Sequence, residues 1–313
     1  MTTFDLNRYL SNRRAAVDRA LDRYLQGQQG HGHVIWKAMR YGLFPGGKRI
    51  RPILTLASGE LFGARPKLLM PFACALEMIH AYSIIHDDLP AIDNDDLRRG
   101  EPTAHKVFGE GMALLAGDGL LTEAFRTMAG PQVARLLPPA LILDLIYEVG
   151  HAVGLAGLVG GQAFDLEAEN QKEIDLATVE YIHVRKTGAL ILAAVRVGAR
   201  AAGAKGAELR RVSRYGEFLG LAFQIADDIL DAREQTAPGE RAESGRKERK
   251  KATYPAVVGV VQAKERLQEL LQQSVKQLSF FGAKAEPLRA IAHFAAGRAL
   301  REERNAKIQG RQS

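Results

Sequence analysis

Cysteine is nearly absent from this chain: Cys74 is the single one among 313 residues, and it lies inside the apolar run PFACALEMI. A disulfide framework or a cysteine-built zinc site within one copy is therefore excluded, and a reducing, cytoplasmic compartment is the expectation. Long apolar runs are missing too. None reaches the roughly 18 uninterrupted residues of a membrane span, and the N-terminal MTTFDLNRYLSNRRAAVDRAL lacks the apolar stretch of a leader. A soluble protein without a membrane span is expected.

Strand signals are equally scarce, whereas apolar residues recur at helical spacing over most of the length. Leu10, Val17, Leu21 and Leu25 mark an amphipathic N-terminal helix, and GALILAAVRVGARAAGA, Gly188 to Ala204, reads as a buried one. The segment LILDLIYEVGHAVGLAGLVGGQAFDLEAE reads as one long helical stretch. Each interior glycine there costs about 1 kcal/mol against alanine, which points to close helix packing. Breaks fall at GLFPGGKRIRP, LPAIDNDD and LLPP and in the polar stretch 233–251. Helical periodicity resumes after each. The expectation is one all-α domain over residues 1–313, with a polar mobile loop at about 233–251 and no solenoid repeat.

The formal net charge of +7 and pI near 9.5 call for an anionic partner: nucleic acid, a membrane surface or a phosphorylated small molecule. The placement of charge decides among them. In HDDLPAIDNDDLRRG, residues 86–100, Asp87 and Asp88 end an apolar helix, Pro90 breaks it, and the break lets Asp93 turn back. In FQIADDILD, residues 223–231, Asp227 and Asp231 stand one above the other on a helix crowded by Phe223, Ile225, Ile229 and Leu230. Such carboxylates repel and are costly to desolvate unless a cation joins them; an exposed, solvated acidic face is the alternative. Oxygen ligands without cysteine suit Mg²⁺, which completes its octahedron with water and phosphate.

Phosphate also needs donors. GGKRIRP supplies Lys48, Arg49 and Arg51 after two glycines, without the spacing of a P-loop. Arg98 and Arg99 follow the first acidic cluster, and VRKTG sets Lys186 and Thr187 before the buried helix. Together they read as two anion sites flanking a magnesium cage. His80 and His86 share the helix that delivers Asp87, where a lone histidine is commonly a core residue. His80 is a better candidate than the HGH of residues 31–33, which reads as a surface turn.

In order and spacing, GGKRIRP, EMIHAYSIIHDDLPAIDNDDLRRG, GGQAFDLEAE, RKTG and FQIADDILD resemble the motifs of the polyprenyl diphosphate synthases. The two extra residues inside the first motif resemble the bacterial farnesyl diphosphate synthases and some geranylgeranyl diphosphate synthases. The resemblance implies a single-domain helical bundle around a deep central cavity, usually homodimeric. Such a bundle condenses an allylic diphosphate, dimethylallyl or geranyl, with isopentenyl diphosphate. Carried over by motif position, Lys48, Arg51, His80 and Arg99 would hold isopentenyl diphosphate. Arg98, Lys186, Thr187 and Gln224 would hold the allylic diphosphate. Asp87, Asp93 and Asp227, with Asp88 and Asp231 near, would bind about three Mg²⁺ ions. Asp87, Asp93, Asp227, Lys186 and Arg98 would then carry the catalysis.

Tyr82 lies five residues before Asp87, about 7.5 Å down the helix, where an aromatic would floor the cavity; the resemblance associates an aromatic there with a short, C15 product. Ser83 beside it obstructs little. A C20 product is the alternative. The stretch RKERKKATYP departs from the family pattern: Lys251 keeps the usual lysine position, but Lys250 replaces a glycine and Arg246 an acid. A terpene cyclase would not need GGKRIRP, and a non-catalytic partner subunit should have lost carboxylates from one cluster. Nucleic-acid binding has no recognition motif to support it.

Overall fold

The computed structural model describes residues 4–26, 33–44, 46–169, 171, 173–236 and 252–301. Among these the chain is a helical bundle. The first helix, α1 (Leu6–Tyr24), opens on Asp5, whose carboxylate accepts the Arg8 amide at 3.0 Å, and buries Val17, Ala20 and Leu21 at the expected helical spacing. His33 begins α2 (His33–Leu43) instead of lying in a turn, and His31 and Gly32 fall outside the described residues. Next come α3 (Ile50–Leu61) and α4 (Pro66–Asp87). The latter is apolar all round and buried from Leu69 to Ile85, which marks a central helix and not a surface one.

Behind α4 run α5 (Ala104–Phe108), α6 (Glu110–Met128), α7 (Pro131–Ala134), α8 (Pro139–Val153) and α9 (Leu158–Ala168). The glycine-rich segment that reads as one helix is thus two. Gly154 and Gly157 leave helical backbone, with ψ of −150° and −123°; each glycine weakens the helix locally, although Leu155 and Ala156 between them favour it. By length and composition two stretches would pass for membrane spans. Pro66–Asp87 has mean hydropathy 1.6 and is 78% buried inside the protein; Pro139–Ala168 has mean hydropathy 1.5, is 39% buried, and is interrupted by this break.

The remaining elements are α10 (Leu176–Ile182), a π-helical turn (His183–Gly188), α11 (Ala189–Ala201), α12 (Gly206–Thr236), α13 (Tyr254–Gln277), a 3₁₀ segment (Leu278–Ala285) and α14 (Glu286–Arg301). The buried helix α11 therefore continues from the π turn and stops at Ala201. There Gly203 (φ 88°) closes a cap in which the Gly203 amide bonds the Arg200 carbonyl and the Ala204 amide that of Ala199. At the crossing of α3 and α11, a Cβ on Gly59 would come within 2.9 Å of the Gly198 carbonyl. A second, smaller core joins α12, α13 and α14 through Ile225, Ile229, Leu267 and Leu270. The 237–251 part of the expected polar loop, including Lys251, lies outside the described residues.

Among the described residues, regular strands are confined to one short hairpin. Leu97–Arg98 (β1) pairs antiparallel with Glu101–Pro102 (β2) across Arg99 (φ 57°) and Gly100 (φ 83°). Two successive left-handed residues make the tight turn that matches strand twist. One consequence reaches the site directly: Arg98 lies in a strand and Arg99 in its turn, so the two guanidinium groups leave the backbone in different directions.

Candidate active site

The first acidic cluster is a helix end folded on itself. After Asp88 the chain turns, so that the Asp93 amide bonds the Asp87 carbonyl at 2.8 Å and the Asn94 amide that of Leu89 at 3.0 Å. Asp93 thus returns to Asp87, as the Pro90 break implies. Burial pushes the Asp87 carboxyl up to about 6; Lys186 pulls against this and Asp93 adds to it. Asp88 does something else. It is buried and accepts Arg98 Nε at 3.0 Å and a second Arg98 nitrogen besides, while Arg98 also reaches Asp95 at 3.6 Å. Asp96 pairs with Lys106 at 2.6 Å. Asp88, Asp95 and Asp96 therefore set the hairpin and its arginine. A narrow cleft of about 50 Å³ runs beside them, lined in part by Tyr41, Ile84, Ile85, Asp88, Arg98 and Arg99.

GGKRIRP owes its shape to Arg49. That residue holds left-handed backbone (φ 51°) immediately before α3, and its buried guanidinium pairs with Glu77 at 2.9 Å and Asp18 at 2.8 Å. Such a pair is costly to desolvate and costlier to break, since either partner alone would be a buried charge. Lys48 and Arg51 flank it. The Lys48 ammonium lies 5.8 Å from the Phe294 ring centroid, and Arg51 is half-buried, its pKa lowered by burial against the pull of Glu77 and Asp227. Arg99 returns from the hairpin to bond the Gly46 carbonyl. A Cβ on Gly47 would stand 3.4 Å from an Arg49 nitrogen and 3.5 Å from one of Arg99, so the glycine leaves room where guanidiniums converge. His80 lies in the same field. Burial and then Arg51, Arg99, Arg49 and Arg98 hold its pKa well below the usual value, so it is a neutral imidazole.

The other cation group is carried by the π turn. Lys186 donates to Asp165 of α9 at 2.7 Å; burial works against its charge, but Asp165 and Asp87 more than offset this and raise its pKa. One turn before Asp165, on the same face of α9, Gly161 meets the Lys186 backbone. A Cβ there would be 2.8 Å from Lys186 Cα and closer still to its amide nitrogen. Thr187 donates its hydroxyl to Gln224 Oε1 at 2.8 Å, and Gln224 Nε2 donates to Asp228 at 3.0 Å.

Asp227 and Asp228 divide as Asp87 and Asp88 do. Asp227, in a recess that water reaches, is pushed up to about 6 by desolvation, pulled down by Lys48 and raised again by Asp231. Asp228 is buried, with Tyr254 N–H at 2.8 Å and His183 Nε2 at 3.2 Å. Farther down α4, Tyr82 is buried with no protein partner for its hydroxyl and stands edge-on to His86, centroids 5.6 Å apart. Ser83 spends its hydroxyl on the His80 carbonyl at 2.9 Å.

The donor set fits Mg²⁺. Asp87, Asp93, Asp227 and Asp231 supply only oxygen, and for Asp87 and Asp227 the ionised form is held at a cost that a hard cation would relieve. Among the described residues no three histidine, cysteine or acidic side chains are placed to hold a metal ion by themselves. Gly161, Asp165, His183, Glu77 and the anchoring roles of Arg49, Asp88 and Asp228 are not evident in the sequence reading. Gly161 and Asp165 lie in GGQAFDLEAE, a motif that carries the resemblance, and their i, i+4 spacing is the signal that could have disclosed their shared face. Gly161→Ala will displace Lys186 and reduce turnover by about 10²-fold, the usual cost of misplacing a reacting-site group by about 1 Å; steady-state kinetics beside a thermal melt will show it.

Comparison with known proteins agrees with this geometry. The polyprenyl synthetase family profile matches residues 33–283. A dimethylallyltranstransferase of Fischerella ambigua is 46% identical over 93% of this chain and 83% of its own. A farnesyl diphosphate synthase of Geobacillus stearothermophilus is also 46% identical, over 85% and 89%. The crystal structure of a geranyltransferase from Legionella pneumophila superposes with a TM-score of 0.84 at 32% identity, covering 94% of this chain and 97% of that one. With two acidic clusters and two cation groups in one helical bundle, and relatives of this identity along nearly its whole length, the chain belongs to the polyprenyl synthetase family and is a prenyltransferase.

Proposed function

We propose that the chain condenses an allylic diphosphate, dimethylallyl or geranyl, with isopentenyl diphosphate to release (2E,6E)-farnesyl diphosphate. One arrangement carries the reading: Lys186, held by Asp165, and Thr187, bonded to Gln224, form one group, while Lys48, Arg51 and Arg99 gather around the loop that the Arg49–Glu77 pair shapes. Two diphosphates are thereby given separate places. On the first, Arg98, Lys186, Thr187 and Gln224 hold the allylic diphosphate; on the second, Lys48, Arg51, His80 and Arg99 hold isopentenyl diphosphate; Lys251, outside the described residues, is a further substrate contact by motif position alone. A terpene cyclase would need no second place.

In the reaction the allylic carbon–oxygen bond breaks and its electron pair leaves with the diphosphate. The isopentenyl double bond attacks the carbocation, and a proton is lost from the adduct to the released diphosphate. Lys186 and Arg98 meet charge developing on the leaving oxygens, and their anchors Asp165 and Asp88 fix them beforehand, so little reorganisation is needed at the moment of ionisation. The neutral His80 contributes an N–H without adding to a field already crowded with guanidiniums. Asp87, Asp93, Asp227 and Asp231 would hold Mg²⁺, about three ions per site by family resemblance, and when bound that charge would further stabilise the diphosphate.

Tyr82 supports the C15 product: it is a buried aromatic side chain five residues before Asp87 on α4, a position at which it would block a chain extending down that helix. A geranylgeranyl product is the second reading: a geranylgeranyl diphosphate synthase of Cyanophora paradoxa is 44% identical over 95% of this chain. We further infer a single domain over the whole chain, around a cavity between the clusters, and a homodimer. The dimer rests on an apolar surface where α6 and α8 touch: Leu114 and Leu115 on one, and Leu143 and Tyr147, 67% and 76% exposed, on the other. A cytoplasmic location accords with one buried thiol.

Three measurements test this. Asp87→Ala and Asp227→Ala will each lower turnover by about 10³-fold or more with unchanged melting; near-normal turnover would remove the metal-site reading. Tyr82→Ala will shift the product to C20 by chromatography, and an unchanged C15 product would place the floor elsewhere. The double variant L143E/Y147E will halve the mass seen by light scattering.

A further inference from the structure

The π turn that presents Lys186 and Thr187 is an uncommon conformation, and π turns persist where surrounding contacts enforce them, often at functional sites. Three contacts enforce this one. At its C-terminal end Gly188 packs against Gly220 of α12, where a Cβ on Gly220 would be 2.8 Å from Gly188 Cα. At its centre the Lys186 backbone rests on Gly161. These two are steric and restrain position without direction. The third is polar and directional: His183, the first residue of the turn and 3% exposed, has Nε2 at 3.2 Å from Asp228 Oδ2.

Asp228 itself is held on every side. Oδ2 also accepts the Tyr254 N–H at 2.8 Å, one of the donors that the first turn of α13 leaves without a helical partner, and Oδ1 accepts Gln224 Nε2 at 3.0 Å. The Tyr254 ring stacks near the His183 imidazole, centroids 6.3 Å apart and planes 24° from parallel, and its hydroxyl bonds Glu180 of α10 at 3.0 Å. The other imidazole nitrogen, Nδ1, is buried with no protein partner. The ring is therefore placed through Nε2 and by stacking alone. A histidine that served only to fill the core would be replaceable by an apolar side chain; this one spends a buried polar edge on one carboxylate.

We propose that His183 is a positioning residue for the allylic side of the reaction: its Nε2–H donated to Asp228 sets the π turn from which Lys186 and Thr187 reach the substrate. Asp228 also carries Gln224, which in turn receives the Thr187 hydroxyl, so three of the four groups assigned to the allylic diphosphate depend on this junction. Arg98 depends on Asp88 instead, and the isopentenyl group depends on Arg49 and Glu77. Loss of the His183 bond therefore affects one substrate and spares the other. The inference rests on the function proposed above.

The test uses the size of amide side chains. Glutamine puts its amide nitrogen where histidine has Nε2, whereas asparagine puts it near Nδ1; both are polar, and asparagine is the poorer helix former by only a few tenths of a kcal/mol. His183→Gln will behave within about threefold of the wild type, while His183→Asn will lose about 10- to 100-fold in kcat/KM for geranyl diphosphate, as expected for a broken buried bond to a charged group. The KM for isopentenyl diphosphate will not change in either. Equal damage in both variants, or parallel loss for both substrates, overturns the proposal. Hydrogen exchange of amides 183–188 in the substrate-free protein is the second readout: faster in His183→Asn and unchanged in His183→Gln if the inference holds, the same in both if it does not. This decides the matter even where the wild type fails to consume the two substrates, a failure that would count against the proposed function alone.

Discussion

Adjacent residues on a helix point about 100° apart, and that constraint divides each pair of neighbouring aspartates into two kinds of group. Asp87 and Asp227 are the members whose charge is held at a cost and answered by lysine. Asp88 and Asp228 are buried and tied to the protein: one by Arg98, the other by Tyr254, His183 and Gln224. Neither role could be filled by one carboxylate. A carboxylate that answers three buried donors has most of its acceptor capacity turned inward, away from a cation in the site.

The bracing matters because the cations of the site would otherwise repel one another. Arg49, Arg51, Arg98 and Arg99 all bear on His80. They can be gathered there only because Glu77, Asp18, Asp88 and Asp95 neutralise them from behind. Arg49 and Arg98 are each answered by two acids from within the protein. The net positive charge of the chain is thus partly a local requirement: enough cation must remain to attract a polyanion after the anchors have been satisfied.

Much of this was legible in the residues. The helical class followed from apolar spacing, and both acidic motifs from carboxylates placed inside apolar helices. The return of Asp93 to Asp87 followed from Pro90. What was not legible depends on neighbours distant in sequence. Gly154 and Gly157 break a stretch whose local pattern is helical, the turn at Arg99–Gly100 was hidden in what read as a run of charge, and the π turn continues smoothly into α11. A period count sees the residues of His183–Gly188 but not Gly161, Gly220 and Asp228, which hold their shape.

The left-handed backbone at Arg49 has a wider consequence. Left-handed turns are commonly written locally, by a glycine that tolerates them. Here the same turn is kept by a guanidinium locked to Asp18 on α1 and Glu77 on α4, 31 and 28 residues away. The loop is therefore shaped by the assembled bundle and not by its own sequence, and it reaches its working form only when α1, α3 and α4 have come together. Its specificity is a product of tertiary structure: a seven-residue motif transplanted without those two distant acids would carry the same letters and lack the shape.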